Sequence, residues 1–260
     1  MTATFADSAG VRIAYESFGE GPALLLMQGI GYARWSWDPI VPALAEQFRV
    51  LSFDNRGIGE SDVPPPPYTS RQLAEDAVAV LDAEGIERAH VVGASLGGMA
   101  AQELAAGFPE RVDRLVLACT TLGGAGAVPM PAQSVALMQE AAMLAPEVAM
   151  RRFVENALAP HADPSLVEEL YRRRVANPPD PVGWQGQAAA GVGFDGSALE
   201  IAAPTLILHG TEDAVVDPGN AALLVERIPG ARVELFSGCG HLFFWEQRER
   251  FAETVVEFLS

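Results

Sequence analysis

Short apolar runs recur along the chain, and stretches with helical periodicity separate them. The runs are continuous rather than alternating, which is typical of strands buried on both faces. Buried strands of this kind are predicted at 23–27 and 48–53, a further apolar strand is predicted at 112–119, and strands are also predicted at 87–92, 204–209 and 232–236. Helices are predicted between them, at 37–46, 70–84, 96–107, 218–228 and 248–259. Because strands that alternate with helices pair in parallel, the pattern predicts an α/β fold with a mostly parallel, doubly wound sheet.

Two segments depart from this alternation. Residues 2–6 and 11–18 alternate apolar and polar positions around Asp7-Ser8-Ala9-Gly10, which predicts a β-hairpin. In residues 123–198, Gly and Pro separate helical stretches at 133–144, 146–158, 165–176 and 181–191, and no strand pattern occurs there. The chain is therefore expected to form one core from residues 1–122 and 199–260, with residues 123–198 inserted as an all-helical cap.

A Gly-x-Ser-x-Gly motif joins the strand at 87–92 to the helix at 96–107. It reads Gly93-Ala94-Ser95-Leu96-Gly97. A strand that turns sharply into a helix exposes the serine hydroxyl and points free N–H groups at the reacting carbonyl. Ser95 is the predicted nucleophile. The alternative is a chance pattern of common residues in which the glycines only close a tight turn.

A serine hydroxyl needs a base, and the chain has four histidines. His90 precedes Ser95 within the entering strand, and His161 lies in the helical insertion. His209 ends a strand and is interpreted as structural. His241 follows Gly-Cys-Gly after the last strand and precedes an aromatic run, so it is the predicted base. The alternative for His241 is a loop histidine packed on Phe243 or Trp245.

The base needs a buried acid to orient it. Asp213 lies just past the end of the strand at 204–209, at the edge where ligand-binding loops of parallel sheets gather. Glu212 and Asp217 are rivals, but Asp217 directly precedes Pro218 and resembles a helix N-cap. Residues 118–121 contain no carboxylate, which strengthens the assignment of Asp213.

The overall charge limits the classes of partner. The formal net charge is -17 and the pI is about 4.5, whereas nucleic acid and anionic membranes bind basic surfaces. The two cysteines, Cys119 and Cys239, have no metal-ligand spacing, and no metal or cofactor is expected. The N-terminus lacks the pattern of a signal peptide, and the expected location is cytoplasmic. Oligomeric state is not predicted.

With these motifs in place, the whole chain resembles the α/β-hydrolase superfamily, in particular its serine esterase and enol-lactonase branch. The motif at Ser95 is similar to the nucleophile elbow of that family, and Ser95, Asp213 and His241 follow its triad order. The resemblance implies that the backbone N–H groups of Ile30 and Leu96 form the oxyanion hole. Relatives usually carry His-Gly before the first donor, whereas this chain has Gln28-Gly29, so the bracing of this loop is open.

The expected activity is cofactor-free hydrolysis of a small carboxylic ester or lactone through an acyl-enzyme. The alternatives are a carbon–carbon bond hydrolase, an enol-lactonase or a perhydrolase with the same triad, and a low-turnover ligand receptor of the same fold. Trp35, Met138 and Trp184 are candidate pocket residues. Arg151, Arg152 and Arg172 to Arg174 are candidates for a carboxylate-binding site, but solvated helix faces are the favoured interpretation. The loop 54–61, with a possible Asp54–Arg56 pair, is interpreted as structural.

Overall fold

An eight-stranded sheet forms the centre of the molecule, whose computed structural model describes residues 4–141 and 143–260. Its strands are β1 (Thr4–Ser8), β2 (Val11–Phe18), β3 (Ala23–Met27), β4 (Arg49–Phe53), β5 (Ala89–Ala94), β6 (Val112–Ala118), β7 (Thr205–Gly210) and β8 (Arg232–Phe236). The spatial order is β1-β2-β4-β3-β5-β6-β7-β8. β2 pairs antiparallel with β1 and β4, and the other neighbours pair in parallel. The predicted hairpin and mostly parallel sheet are confirmed.

Helices cover both faces of this sheet. The helices of the described residues are α1 (Val41–Leu44), α2 (Ser70–Ala83), α3 (Leu96–Gly107), α4 (Ala132–Ala141), α5 (Pro146–Asn156), α6 (Pro164–Ala176), α7 (Pro181–Val192), α8 (Gly219–Arg227), α9 (Phe243–Glu246) and α10 (Arg248–Leu259), of which α4 to α7 belong to the insertion. Alternate residues of β3 point to opposite faces: Leu24 packs with α1 and α10, whereas Leu25 packs with α2, α3 and α8. The sheet is therefore doubly wound, with one apolar core on each side.

The insertion between β6 and β7 contains α4 to α7, and its described residues add no strand to the sheet. An isolated antiparallel bridge between Gly123 and Asp195 joins the two ends of this segment. Part of its surface packs into the core, where Val154 of α5 and Leu170 of α6 are buried beside α10 and α9. We call this segment the cap.

The structure differs from the predicted helix at 37–46. That stretch forms a 3₁₀ turn at Arg34–Trp37 and the short helix α1 instead. Pro39 and Pro42 have no N–H to donate, so a continuous hydrogen-bond ladder cannot run through them. The short helix α9 was not predicted. Residues 2–3 of the predicted hairpin and residue 142 of the predicted helix 133–144 lie outside the described residues.

In the ranges 4–141 and 143–260, no helix combines the length and the apolar character needed to span a bilayer.

Candidate active site

Ser95 stands at a strained turn between β5 and α3. Its backbone has φ 55° and ψ -120°, a conformation that a residue with a Cβ rarely adopts. The end of β6 and the loop after it hold the turn, because Ser95 N–H donates to the Ala118 carbonyl at 2.9 Å and Thr120 Oγ1 donates to the Ser95 carbonyl at 2.8 Å. The Ser95 side chain stays partly exposed. The fold thus presents this hydroxyl at the carboxyl edge of the parallel strands.

Glycines on either side of Ser95 permit the close approach of strand and helix. A Cβ on Gly93 would lie 2.4 Å from the Gly97 carbonyl oxygen, and a Cβ on Gly97 would lie 2.2 Å from the carbonyl oxygen of Met27. Neither backbone oxygen can move without shifting its element. The glycines therefore do more than close a tight turn, since they let α3 pack directly against β5 and the end of β3.

Asp213 and His241 form a buried pair beside this edge. His241 Nδ1 lies 2.8 Å from Asp213 Oδ2, and the two side chains are almost wholly buried. The other carboxylate oxygen accepts the backbone N–H groups of Val215 at 2.8 Å and Val216 at 2.9 Å. The rivals lie elsewhere: Glu212 faces His161, and Asp217 accepts the N–H of Gly219 near the start of α8.

Charge coupling within this pair moves both pKa values. Burial alone would raise the pKa of Asp213, but the charge of His241 and hydrogen bonds from two imidazoles hold it well below its ordinary value. Burial alone would lower the pKa of His241, but the Asp213 charge, aided by the adjacent Cys119, keeps it well above 6.5. The surroundings of His241 therefore stabilise the protonated form of its imidazole.

His209 is a neighbour of the acid that the sequence analysis treated only as a strand-end residue. Its Nε2 lies 3.0 Å from both Asp213 Oδ2 and the Val216 carbonyl oxygen. Because both are acceptors, Nε2 must carry a hydrogen. Its Nδ1 is buried without a hydrogen-bond partner among the described residues. The sequence signal for this contact was the spacing His-Gly-x-x-Asp. It places His209 at the end of β7 and Asp213 in the loop that follows.

No hydrogen bond between Ser95 Oγ and His241 is present in the described part of the chain. The two residues approach from different strands: Ser95 follows β5, and His241 follows β8. Cys119, directly after β6, is buried against the imidazole of His241, while the residue before it binds the Ser95 backbone. The end of β6 therefore lies between the turn at Ser95 and the buried Asp213–His241 pair, and it contacts both.

The loop after β3 passes beside Ser95. A Cβ on Gly29 would lie 3.5 Å from Ser95 Oγ. Tyr32 N–H donates to the Gly29 carbonyl at 3.3 Å, closing a turn in which Gly31 has φ 67°. In this part of the structure, the N–H groups of Ile30 and Leu96 have no hydrogen-bond partner among the described residues. Both predicted oxyanion donors thus belong to segments that meet at the elbow.

Gln28 braces this loop. Its Oε1 accepts the Gly29 N–H at 2.7 Å, and its Nε2 donates to Ser36 Oγ. Asn55 Nδ2 donates to the Gln28 carbonyl at 2.9 Å. Gln28 is buried, so these bonds are shielded from water. The amide side chain supplies both the acceptor and the donor that hold the loop, which answers the question raised by the absence of the usual histidine.

The candidate pocket residues have different surroundings. Trp184 packs its ring edge on Gly31, with Cδ1 3.0 Å from the position of a Cβ at that glycine. Trp35 packs edge-on against Trp245 at 6.3 Å between ring centroids. Met138 lies on α4 with 43% of its surface exposed. Of the three, Trp184 contacts the loop that carries Ile30, and a pocket role for each stays a prediction.

Two expectations about charged residues were wrong. Asp54 pairs with Arg34 rather than with Arg56, and Arg56 makes a two-pronged contact with Asp76 of α2 at 2.7 and 2.6 Å. Arg174 does not lie on a solvated face, because its Nη1 donates to the Gly31 carbonyl and its guanidinium stacks on Tyr32 at 4.2 Å. Each partner comes from a separate element, which only folding brings close.

Comparisons with known proteins agree with this architecture. A sequence profile described as "alpha/beta hydrolase fold" matches residues 22–247. The 2-hydroxy-6-oxononadienedioate/2-hydroxy-6-oxononatrienedioate hydrolase of Burkholderia vietnamiensis is 33% identical over 271 residues, covering 97% of this chain and 92% of that protein.

Two solved structures are similar over nearly their whole length. The esterase from Exiguobacterium antarcticum has a TM-score of 0.88 and 25% identity, covering 99% of each chain. The enol-lactonase from Burkholderia xenovorans LB400 has a TM-score of 0.86 and 28% identity, covering 98% of this chain and 99% of that one.

Proposed function

The chain belongs to the α/β-hydrolase fold family, and from its site geometry we propose that it is a serine hydrolase that cleaves a small carboxylic ester or lactone through an acyl-enzyme. The observation that carries the proposal is the buried Asp213–His241 pair at 2.8 Å, at the same sheet edge as the strained turn of Ser95. A buried acid, an oriented imidazole and an exposed hydroxyl are the components of nucleophilic acyl transfer.

In the proposed mechanism, Ser95 Oγ attacks the carbonyl carbon while His241 accepts its proton. The developing oxyanion is stabilised by the N–H groups of Ile30 and Leu96, where each such donor contributes on the order of 100- to 1000-fold to turnover. His241 then protonates the leaving alcohol, and the acyl group remains on Ser95. A water molecule, deprotonated by His241, releases the acid. Asp213 stabilises the imidazolium in both steps, and the Ser95–His241 contact tightens when substrate binds.

The proposed partner is a small molecule. Binding to nucleic acid or to a membrane surface is not part of the proposal. The net charge of -17 disfavours polyanionic partners. The apolar ring of Trp184 packs on Gly31, next to the proposed oxyanion donor Ile30. Similarity to an esterase and to an enol-lactonase supports an ester or lactone carbonyl as the reacting group.

Carbon–carbon bond hydrolysis is the second candidate. It is favoured by 33% identity to a relative whose named substrate is an oxo acid rather than an ester. Cleavage beside a ketone needs the same base and oxyanion donors, but the carbon leaving group must also be protonated. The test is incubation with a conjugated 2-hydroxy-6-oxo acid. Loss of the visible absorbance of this substrate measures carbon–carbon cleavage separately from the turnover of simple esters.

Intact-mass spectrometry with a serine-directed phosphonylating reagent tests the proposal. We expect one adduct on the wild-type protein and none on Ser95→Ala, with hydrolysis of p-nitrophenyl acetate and butyrate lost in Ser95→Ala and His241→Ala. The matched controls are Ser260→Ala at the exposed terminus and His161→Ala on the exposed side of the cap, which should keep the adduct and the turnover. An adduct that persists in Ser95→Ala contradicts the assigned nucleophile.

A further inference from the structure

Two side chains from the cap hold the backbone of Gly31, next to the proposed oxyanion donor Ile30. Gln187 of α7 is wholly buried, and its Oε1 accepts the Gly31 N–H at 2.8 Å. Its Nε2 donates to the Arg56 carbonyl at 2.9 Å. Arg174 of α6 donates to the Gly31 carbonyl. Both backbone polar groups of Gly31 are therefore bonded to the cap rather than to the core.

These bonds control the turn that presents the Ile30 N–H. Gly31 is the third residue of the turn closed by Tyr32 N–H and the Gly29 carbonyl, and its positive φ defines the turn type. The Ile30 N–H belongs to the preceding peptide, which shares the Ile30 Cα with the peptide between Ile30 and Gly31, so a displacement of the Ile30–Gly31 peptide also moves the Ile30 N–H. Gln187 holds the N–H of this peptide, and Arg174 holds the carbonyl of the next one. The orientation of the loop beside Ser95 thus depends on the cap.

The charge of Arg174 adds a second feature. Its neighbours on this face form ion pairs: Arg173 with Asp38, and Arg248 with Glu169. Within the ranges 4–141 and 143–260, Arg174 has no carboxylate partner, and it stacks on Tyr32 instead. An uncompensated positive charge therefore lies against the loop where the proposed mechanism develops negative charge.

We propose that Gln187 and Arg174 are positioning residues for the oxyanion hole, so that the cap sets the geometry of Ile30 as well as the shape of the pocket. The inference rests on the proposed function. In a purely structural role, Gln187 would satisfy one buried N–H group and one buried carbonyl group. It would then stabilise the fold without a selective effect on the transition state.

The test compares Gln187→Met, which keeps the side-chain length but removes both hydrogen bonds, with Gln185→Met, an exposed position on the same helix. Arg174→Met is compared with the exposed Arg172→Met. For Gln187→Met we expect kcat per titrated active site on p-nitrophenyl acetate to fall roughly 10- to 100-fold with KM changed less than about threefold, since a displaced donor loses part of its contribution. Binding of an alkyl trifluoromethyl ketone, whose serine adduct carries an oxyanion, should weaken in proportion to kcat/KM.

Hydrogen–deuterium exchange of the peptide covering residues 28–33 provides a readout that needs no turnover. We expect faster exchange in Gln187→Met and Arg174→Met than in wild type, and unchanged exchange in both controls. If Gln187→Met does not fold, Arg174→Met alone carries both measurements.

The outcomes separate the two proposals. Unchanged exchange, or a fall in kcat without weaker ketone binding, overturns the positioning role. An inactive wild-type protein with no phosphonyl adduct refutes the serine hydrolase and with it the oxyanion role, even if the exchange data show that the cap holds the loop.

Discussion

A single carboxylate collects the polar contacts of the candidate site. Asp213 is fully buried and accepts four hydrogen bonds, two from the backbone N–H groups of Val215 and Val216 and two from imidazoles. Such a set keeps the acid ionised although burial opposes its charge. His209 contributes one of these bonds and has no other polar side chain as partner among the described residues, so its role passes through Asp213.

The charge of Asp213 should control the pH dependence of the site. Because that charge raises the pKa of His241 above its ordinary value of 6.5, and the neutral imidazole is the form that accepts a proton from Ser95, kcat/KM should rise with pH through the raised pKa. In Asp213→Asn the pKa should fall, and turnover should drop by about 1000-fold or more, because the imidazole loses its oriented tautomer. Side-chain NMR of His241 between pH 5 and 10 measures the pKa directly.

The control for this variant is Asp217→Asn, in the same loop but bonded to the N–H of Gly219. It should leave the pKa of His241 unchanged. An equal pKa in wild type and Asp213→Asn would show that the pair does not govern titration of the base.

At the level of elements, the unit of β5, the turn at Ser95 and α3 depends on the close approach of backbones that its glycines permit. The β5 residues are buried throughout, and α3 packs on β5 and on the end of β3 through glycine. Thr120 packs against Gly98 at the same junction, where a Cβ would lie 2.6 Å from it. The strained backbone of Ser95 persists because both neighbouring elements surround it.

Gly97→Ala should disrupt this unit. Its new Cβ would lie 2.2 Å from the Met27 carbonyl oxygen, so we expect the free energy of unfolding to fall by more than about 2 kcal/mol, since backbone must shift to admit the methyl group. Urea denaturation followed by circular dichroism measures the change. Gly126→Ala is the matched control, because no atom lies within 4 Å of its Cβ position and its φ is not positive. Equal stability of the two variants would mean that α3 can move away from β3 at little cost.

At the level of the molecule, the cap is attached to the loops on both sides of Ser95. It holds the loop after β3 through Gln187, which accepts the Gly31 N–H. It also holds the loop of His241, because Leu242 N–H donates to the Ala157 carbonyl at 2.9 Å. Glu246 joins the two segments, accepting the N–H groups of Ala159 and Gly240 at 2.8 and 2.7 Å. The sheet core is joined to α2 by the buried Arg56–Asp76 pair.

Arg56→Met tests how much that pair stabilises the fold. Removing one member leaves the Asp76 carboxylate buried without its cation, so we expect a loss of about 3–5 kcal/mol in the free energy of unfolding at neutral pH. Burial raises the pKa of Asp76 even with Arg56 present, and it should rise further in the variant. A raised pKa in the folded state means that stability is lost as the pH rises above the unfolded-state value, so the deficit should shrink in acid.

The matched control is Arg12→Met, which removes an exposed pair with Asp62 and should cost about 1 kcal/mol or less. Denaturant unfolding of the three proteins at pH 7 and pH 4.5 measures both effects. A pH-independent deficit in Arg56→Met would contradict a buried carboxylate as its cause.

The sequence by itself determined where most elements lie. The bounds of β2, β3, β8, α3 and α10 match their predictions, because the spacing of apolar positions and turn-forming residues marks where elements begin and end, although β8 at the sheet edge is mostly exposed. It also identified Ser95, Asp213 and His241 as candidates, since strand ends in a parallel sheet meet at one edge. Their catalytic roles stay predictions. The failure at 37–46 shows the limit of periodicity where prolines interrupt the backbone hydrogen bonds.

Only the tertiary structure decided which polar groups bind one another. Arg34 rather than Arg56 pairs with Asp54, His209 shares Asp213 with His241, and Gln187 bonds to a glycine 156 residues away in the chain. Hydrophobic patterning specifies burial, which depends on local spacing. A hydrogen bond depends on where two separate elements place their atoms, and such distances exist only after the core has packed.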